Sequence, residues 1–210
     1  MHKTLASLTL ALLLAACAHT PPPPQAPRLT PTAAQLQAAA RVGLPEAELT
    51  TLLNKPLYRM QPAEVDRFLA WQQLDQPQLR QRIAALARKN IGQPYELYLL
   101  GEFPFETYDS QPLFDLTKSD CVVFVEHTYA MALSASWPEF FWMLQRIRYR
   151  DGVIGVATRN HYTEADWNLA NRWLVEDVTR TLGAPTQPYR QRIDRQAFLK
   201  KQFKIDRPQP

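Results

Sequence analysis

Along residues 33–90 the apolar positions recur at helical intervals. Ala33 to Val42 is alanine-rich. The segments Pro45 to Leu53 and Pro62 to Gln73 each open with proline at a first-turn position and carry acidic residues close behind, as helix starts do. Gln78 to Asn90 sets Leu79, Ile83, Leu86 and Ala87 on one helical face, and Gly92 ends it. Gln93 to Lys118, rich in aromatics and prolines, reads as a long ordered loop. A helix is expected from Cys121 to about Leu133. Another follows Pro138, carrying Phe141, Leu144, Ile147 and Arg148. The pattern then changes: Val153 to Ala157, His161 to Thr163 and Trp173 to Thr179 read as short strands separated by turns. The basic stretch Tyr189 to Phe203 fits a strand, a helix or an irregular wrap, and no internal repeat is present. Helices first and strands later predict an α+β domain with an antiparallel sheet.

The N-terminus carries an address. Lys3 and the mostly apolar run Leu5 to Ala16 fit the core of an export signal, too short to span a bilayer comfortably. The run ends in Leu14-Ala15-Ala16-Cys17, which looks like a bacterial lipobox, with cleavage before Cys17 and acylation of its thiol. Several acyl chains anchor stably where one does not. Ala18 is not the aspartate of an inner-membrane retention signal, so the expectation is the outer membrane, facing the periplasm. Residues 20–31, with Pro21 to Pro24, Pro27 and Pro31, form a stiff tether of roughly 37 Å in the polyproline form. The expected organisation is residues 1–16 as signal, 17–32 as lipidated tether, 33–75 as a helical extension and 76–210 as the main domain.

Composition narrows the chemistry. A hydrophobic content of 46% with 10% aromatics fits a globular domain with a real core. Six glycines argue against Gly-rich phosphate loops. The formal charge is +4, and loss of Lys3 with the signal leaves a mildly basic chain. No Lys/Arg run argues for nucleic acid, and an anionic polymer such as the cell wall is compatible with this balance. In an oxidising compartment cysteines usually pair, yet once Cys17 is acylated Cys121 has no partner.

Cys121 follows Asp120 at the expected start of a helix, where the dipole and unpaired N–H groups favour negative charge. A cysteine hydrolase needs a base, and a third polar group to orient that base. Of four histidines, His2 is in the signal and His19 beside the anchor. His127 stands six residues from Cys121 on the same helix, about 240° round and ~9 Å along, out of reach and expected to be exposed or half-buried. His161 remains. A hairpin over Trp167 to Asn171 would bring Asp177 opposite His161, where it can hold the imidazole. Asn171 and Asn168 are rival orienters. Neither a G-x-S-x-G elbow nor an H-E-x-x-H motif occurs, and zinc ligands are too few for a well-supported metal site, so no cofactor is called for.

Asp120-Cys121-x-x-Phe124-Val125-Glu126 resembles the nucleophile helix of the N-acetylmuramoyl-L-alanine amidase-like branch of the NlpC-type, papain-like cysteine peptidases. Arg159-x-His161-Tyr162 followed by Asp166-Trp167 resembles its histidine motif. Gly92-x-Pro94-Tyr95 resembles its G-x-P-Y segment, and Glu176 to Thr179 the strand after the histidine. The resemblance covers roughly residues 85–183. Val123 departs from it, standing where the family usually has threonine. The resemblance implies a papain-like α+β fold, with the cysteine helix packed on a sheet bearing the histidine. It implies hydrolysis of the amide between N-acetylmuramic acid and L-alanine in peptidoglycan or its fragments, without a cofactor. Cys121 is then the nucleophile, His161 the base and Asp177 its orienter. Tyr95, Arg159 and Tyr162 lie at the substrate and oxyanion positions.

Three other readings compete. One is a D-glutamyl endopeptidase on the same fold. Another is a non-catalytic wall-binding lipoprotein, whose signature, loss of the cysteine or histidine, is absent. The third is acyl transfer by the same Cys/His pair. The N-terminal helices are expected to enlarge the core.

Overall fold

In the computed structural model, which describes residues 28–206, helices dominate. They are α1 (Ala33–Arg41), α2 (Glu46–Asn54), α3 (Pro62–Asp75), α4 (Leu79–Lys89), α5 (Cys121–Ala132), α6 (Trp137–Arg148) and α7 (Arg195–Phe203). Their starts follow local chemistry. Thr32 forms a reciprocal capping box with Gln35 on α1, and Pro62 occupies the first turn of α3. Asp120, Ser136 and Asp194 cap α5, α6 and α7 through their side chains.

The helical extension shares one core with the helix that carries Cys121. Leu49, Val65, Phe68 and Leu86 from α2–α4 are buried in the same cluster as Met131 of α5 and Leu144 of α6. Polar contacts fix the relative placement. Arg82 of α4 donates to the Ala132 carbonyl (2.7 Å) at the end of α5, where a cation also meets the negative end of the helix dipole. Gln73 of α3 donates to Ser134 O at 2.7 Å, and the α6 amide of Trp137 donates to Asp66 of α3 at 2.7 Å. Helices α3 and α4 therefore hold both ends of the turn between α5 and α6.

The expected antiparallel sheet is absent. Among the described residues the only strand-like pairings are isolated bridges, Tyr95 with Ser119, Phe103 with Pro112 and Tyr149 with Arg159. Each supposed strand has another explanation. Residues 153–157 follow Asp151 and Gly152, both at positive φ, and fold into a turn closed by Thr158 and Arg159 amides on the Gly155 carbonyl. Val156 is apolar because it is buried against Leu199 and Ile205, not because it faces a sheet. Tyr162 leads straight into a π-helical turn, Thr163–Trp167. Residues 171–174 form a turn closed by the Leu174 and Val175 amides on the Asn171 carbonyl, 175–178 have no ladder partner, and Thr179–Thr181 is a single 3-10 turn behind Asp177. A short apolar run fits a buried turn as well as a strand, and a strand without a partner does not persist. The C-terminal stretch resolves into α7, whose Phe198 and Phe203 flank His161.

Candidate active site

Cys121 is the first residue of α5 and is exposed. Asp120 Oδ1 accepts from the Val123 amide at 2.8 Å, so one first-turn donor is satisfied. The N–H groups of Cys121 and Val122 have no intrahelical acceptor and stand beside the thiol. Val123 itself is buried with Leu99 and Leu100, an apolar use for a position where a hydroxyl was expected.

Tyr95 is brought to this edge by its backbone. Ser119 N donates to Pro94 O (3.1 Å) and Glu96 N to Ser119 O (3.2 Å), pairing Tyr95 with the residue two before Cys121. Gly92 enters the segment at φ +89, a conformation that suits glycine. The Tyr95 side chain is 68% exposed.

Inside α5, Glu126 is buried and ionically tied. Its Oε2 lies 3.2 Å from Arg148 Nη1 of α6, and its Oε1 accepts from the Trp167 indole at 3.0 Å. Burial pushes the Glu126 carboxyl above the usual range, against the pull of Arg148 and the indole N–H. Arg148 also donates to the Leu100 carbonyl at 2.8 Å. The loop after Tyr95 is thereby fastened to α5. His127, expected to be exposed or half-buried, is buried. Its Nδ1 lies 2.9 Å from Val123 O, and burial lowers its pKa to about 4.

Arg159, expected at a substrate position, is fastened to the same loop. Its Nε donates to Glu102 (2.6 Å) and its Nη2 pairs with Glu102 and, at 2.9 Å, with Asp109. Tyr149 OH donates toward the same buried Glu102 at 2.9 Å. Tyr162 packs its ring on Phe198 (5.7 Å between centroids) with the Arg195 guanidinium 5.8 Å from its centroid, a packing position.

His161 is held by the main chain. Its Nε2 lies 2.7 Å from Val156 O, and its ring packs edge-on against Phe198 at 5.1 Å. Donation from Nε2–H to that carbonyl leaves the Nδ1 lone pair free. Burial lowers the pKa to about 4; Arg159 and Arg148 act the same way, while the Val156 bond and Asp166 oppose. No hydrogen bond joins His161 to Cys121 or to Asp177. The hairpin expected to set Asp177 opposite His161 does not form. Asp177 is exposed and accepts from Thr179 N (2.9 Å) and Oγ1 (2.5 Å), which hold its carboxyl below the usual range. Asn171 is buried, its amide donating to Ile147 O (2.9 Å) and Trp167 O (3.0 Å). Asn168 lines a groove beside α5. Cys17 lies outside the described residues.

The buried set Glu126, Arg148, Glu102 and Arg159 was not anticipated as a unit. Its one local signal is Glu126 itself, a lone carboxylate in the apolar run of α5.

A family model described as N-acetylmuramoyl-L-alanine amidase-like (AmiA-like) matches residues 85–206, more than half of the chain. The chain belongs to that family. The matched span begins within α4 and includes Tyr95, Cys121, His161 and Asp177, so α1–α3 lie outside it. Among solved structures, a Legionella pneumophila protein of the family model DUF1460 is 29% identical, with a TM-score of 0.52 over 56% of this chain and 40% of that one. An N-acetylmuramoyl-L-alanine amidase from Bacteroides uniformis is 28% identical, with a TM-score of 0.47 over 60% of this chain and 53% of that one. The chain thus spans roughly half the length of these solved structures, or less. No curated protein matches it.

Proposed function

We propose that this chain is a cysteine-dependent amidase that hydrolyses the N-acetylmuramoyl-L-alanine amide of peptidoglycan or its fragments. The observation that carries the reading is the position of Cys121. It is an exposed thiol at the first residue of α5, beside two N–H groups without helical acceptors, in a chain of the amidase-like family. Cys121 Sγ attacks the lactyl carbonyl, and the oxyanion accepts from the Cys121 and Val122 amides. Tyr95, exposed at the same edge, contributes to substrate contact. His161 is the assigned base: the Val156 carbonyl fixes its tautomer, and Nδ1 carries the proton from the thiol to the leaving L-alanine amine. Water, deprotonated by the same nitrogen, then cleaves the thioester. Asp177 has no role in this scheme, because its carboxylate is turned to Thr179. The Leu14 to Cys17 pattern and the proline-rich residues 20–31 support a lipid anchor on Cys17 and an outer-membrane, periplasm-facing location.

Digestion of purified muropeptides by the full chain, read by mass spectrometry, tests the reading. The expected products are the lactyl sugar and a peptide beginning with intact L-Ala. Cys121→Ala abolishes release, and His161→Gln lowers kcat roughly 100-fold or more. Cleavage after D-Glu overturns the bond assignment in favour of an endopeptidase. Full activity of Cys121→Ala overturns the cysteine mechanism. An undiminished His161→Gln removes His161 as base, and a hundredfold loss in Asp177→Ala reinstates Asp177 as orienter.

A further inference from the structure

The first turn of α5 is open on the side that carries Cys121. At ~100° per residue, Val125, Tyr129 and Val122 stand about 40°, 80° and 100° round from Cys121. Cys121 and Val122 are exposed and Val125 and Tyr129 half-buried, whereas Val123, Glu126, His127 and Ala130 on the remaining faces are buried, as are Thr128 and Ala132 farther along the helix, about 20° either side of Cys121. Val125 and Tyr129 line a groove of about 760 Å³, within the size range of small-ligand sites. It begins one helical turn, ~6 Å, from Cys121 along the axis. Its other lining residues include one cation, Arg172, and three carboxylates, Glu164, Glu176 and Asp177. None of these four forms an ion pair with any described residue, and Asp177 accepts from Thr179.

We propose that this groove holds the peptide stem of the substrate, with Arg172 taking the stem's free carboxylate; the inference rests on Cys121 being the amidase nucleophile. The scissile amide has two unlike sides. The sugar side is a neutral lactyl ether, and the peptide side carries a carboxylate on its second residue and, in a diamino acid, an amine on its third. A groove with an apolar floor and unpaired charges of both signs complements the peptide side. Reach agrees as well. An extended residue spans about 3.3–3.6 Å, so the second stem residue arrives where the groove begins. The carboxylates of Glu164, Glu176 and Asp177 are then left to face the amine.

The test compares two substrates that differ at one group, N-acetylmuramoyl-L-alanyl-D-glutamate and its isoglutamine counterpart, in which that carboxylate is an amide. A hydrogen bond to a charged group stabilises by about 1.5–3 kcal/mol, so the wild-type chain is expected to show a KM roughly 10- to 100-fold lower for the carboxylate form. Arg172→Gln is expected to bring the two KM values together while kcat for the carboxylate form stays within about threefold. An Arg172→Gln chain that keeps the wild-type ratio overturns the proposal. Titration of the same two compounds into Cys121→Ala, followed by calorimetry, separates the two levels of the argument. If wild type turns over neither compound but Cys121→Ala binds the carboxylate form tighter in an Arg172-dependent way, the amidase reading fails and the groove stands. If binding is indifferent to the carboxylate, the groove fails.

Discussion

Replacing Glu126 with leucine should cost this fold more than any comparable change on α5. The Glu126 and Arg148 side chains are 2% and 8% exposed, and their nearest oxygen and nitrogen are 3.2 Å apart. Removing one member of a buried pair leaves an uncompensated charge, at about 3–5 kcal/mol. Against a total stability on the order of 5–15 kcal/mol, that is a third or more of the whole. Arg148 has a second duty, donating to Leu100 O at 2.8 Å. Arg148→Met therefore strands that carbonyl as well as Glu126, and the orphaned carbonyl adds about 1–3 kcal/mol. The double variant Glu126→Leu/Arg148→Met removes both charges and leaves Leu100 O and the Trp167 indole unpaired. Its loss should be well below the sum of the two single losses. Urea unfolding followed by far-UV circular dichroism reads all four chains on one cycle. A Glu126→Leu cost below about 1 kcal/mol, or strict additivity in the double variant, would refute the claim that this pair ties α5 to α6 and the loop.

Two further outcomes follow from the same structure. His127 and His161 both have folded pKa values near 4, below the ordinary 6.5, because burial disfavours the charged ring. Their stabilisation is complete above pH 6.5 and drains away as pH falls toward 4, by on the order of 3 kcal/mol for each if fully realised. Urea midpoints at pH 7 and pH 4.5 check this, and a flat midpoint across that window contradicts it. Gly101→Ala is expected to destabilise by about 1–3 kcal/mol through overpacking. An added Cβ would sit 2.6 Å from the Asp109 carboxylate and 2.8 Å from the Gln111 carbonyl, which cannot swing away. A melting temperature equal to wild type would show that the loop yields there.

The helices were legible because their signals are local. Asp120 marks the start of α5 to the residue, and Pro62 that of α3, because capping and first-turn proline are chemistry between neighbours in sequence. Asp177 failed for the opposite reason. Its expected position depended on a hairpin, and a hairpin depends on two segments finding each other. Trp173 and Val178 stay largely exposed, so nothing draws residues 173–179 onto a partner. Val156 misled differently: its apolar character belongs to a contact with α7, more than forty residues on. Arg159 has the same distance problem, since its carboxylate partners stand 50 and 57 residues earlier.

These separations also explain how the candidate site is held. Cys121 makes no side-chain bond of its own among the described residues, so its geometry comes from the backbone cap at Asp120 and from what fixes α5 behind it. Arg82 grips the far end of α5, Glu126 and Arg148 grip its middle, and Arg148 carries that constraint to Leu100 on the loop that leads from Tyr95. Arg159, through Glu102, closes the chain of contacts back to the segment that ends in His161. A thiol left unbonded at a helix start keeps a fixed position only where the helix itself cannot move. That division, a rigid buried ionic frame under an open apolar stripe, accounts for charged residues in an apolar helix and apolar residues on its exposed face.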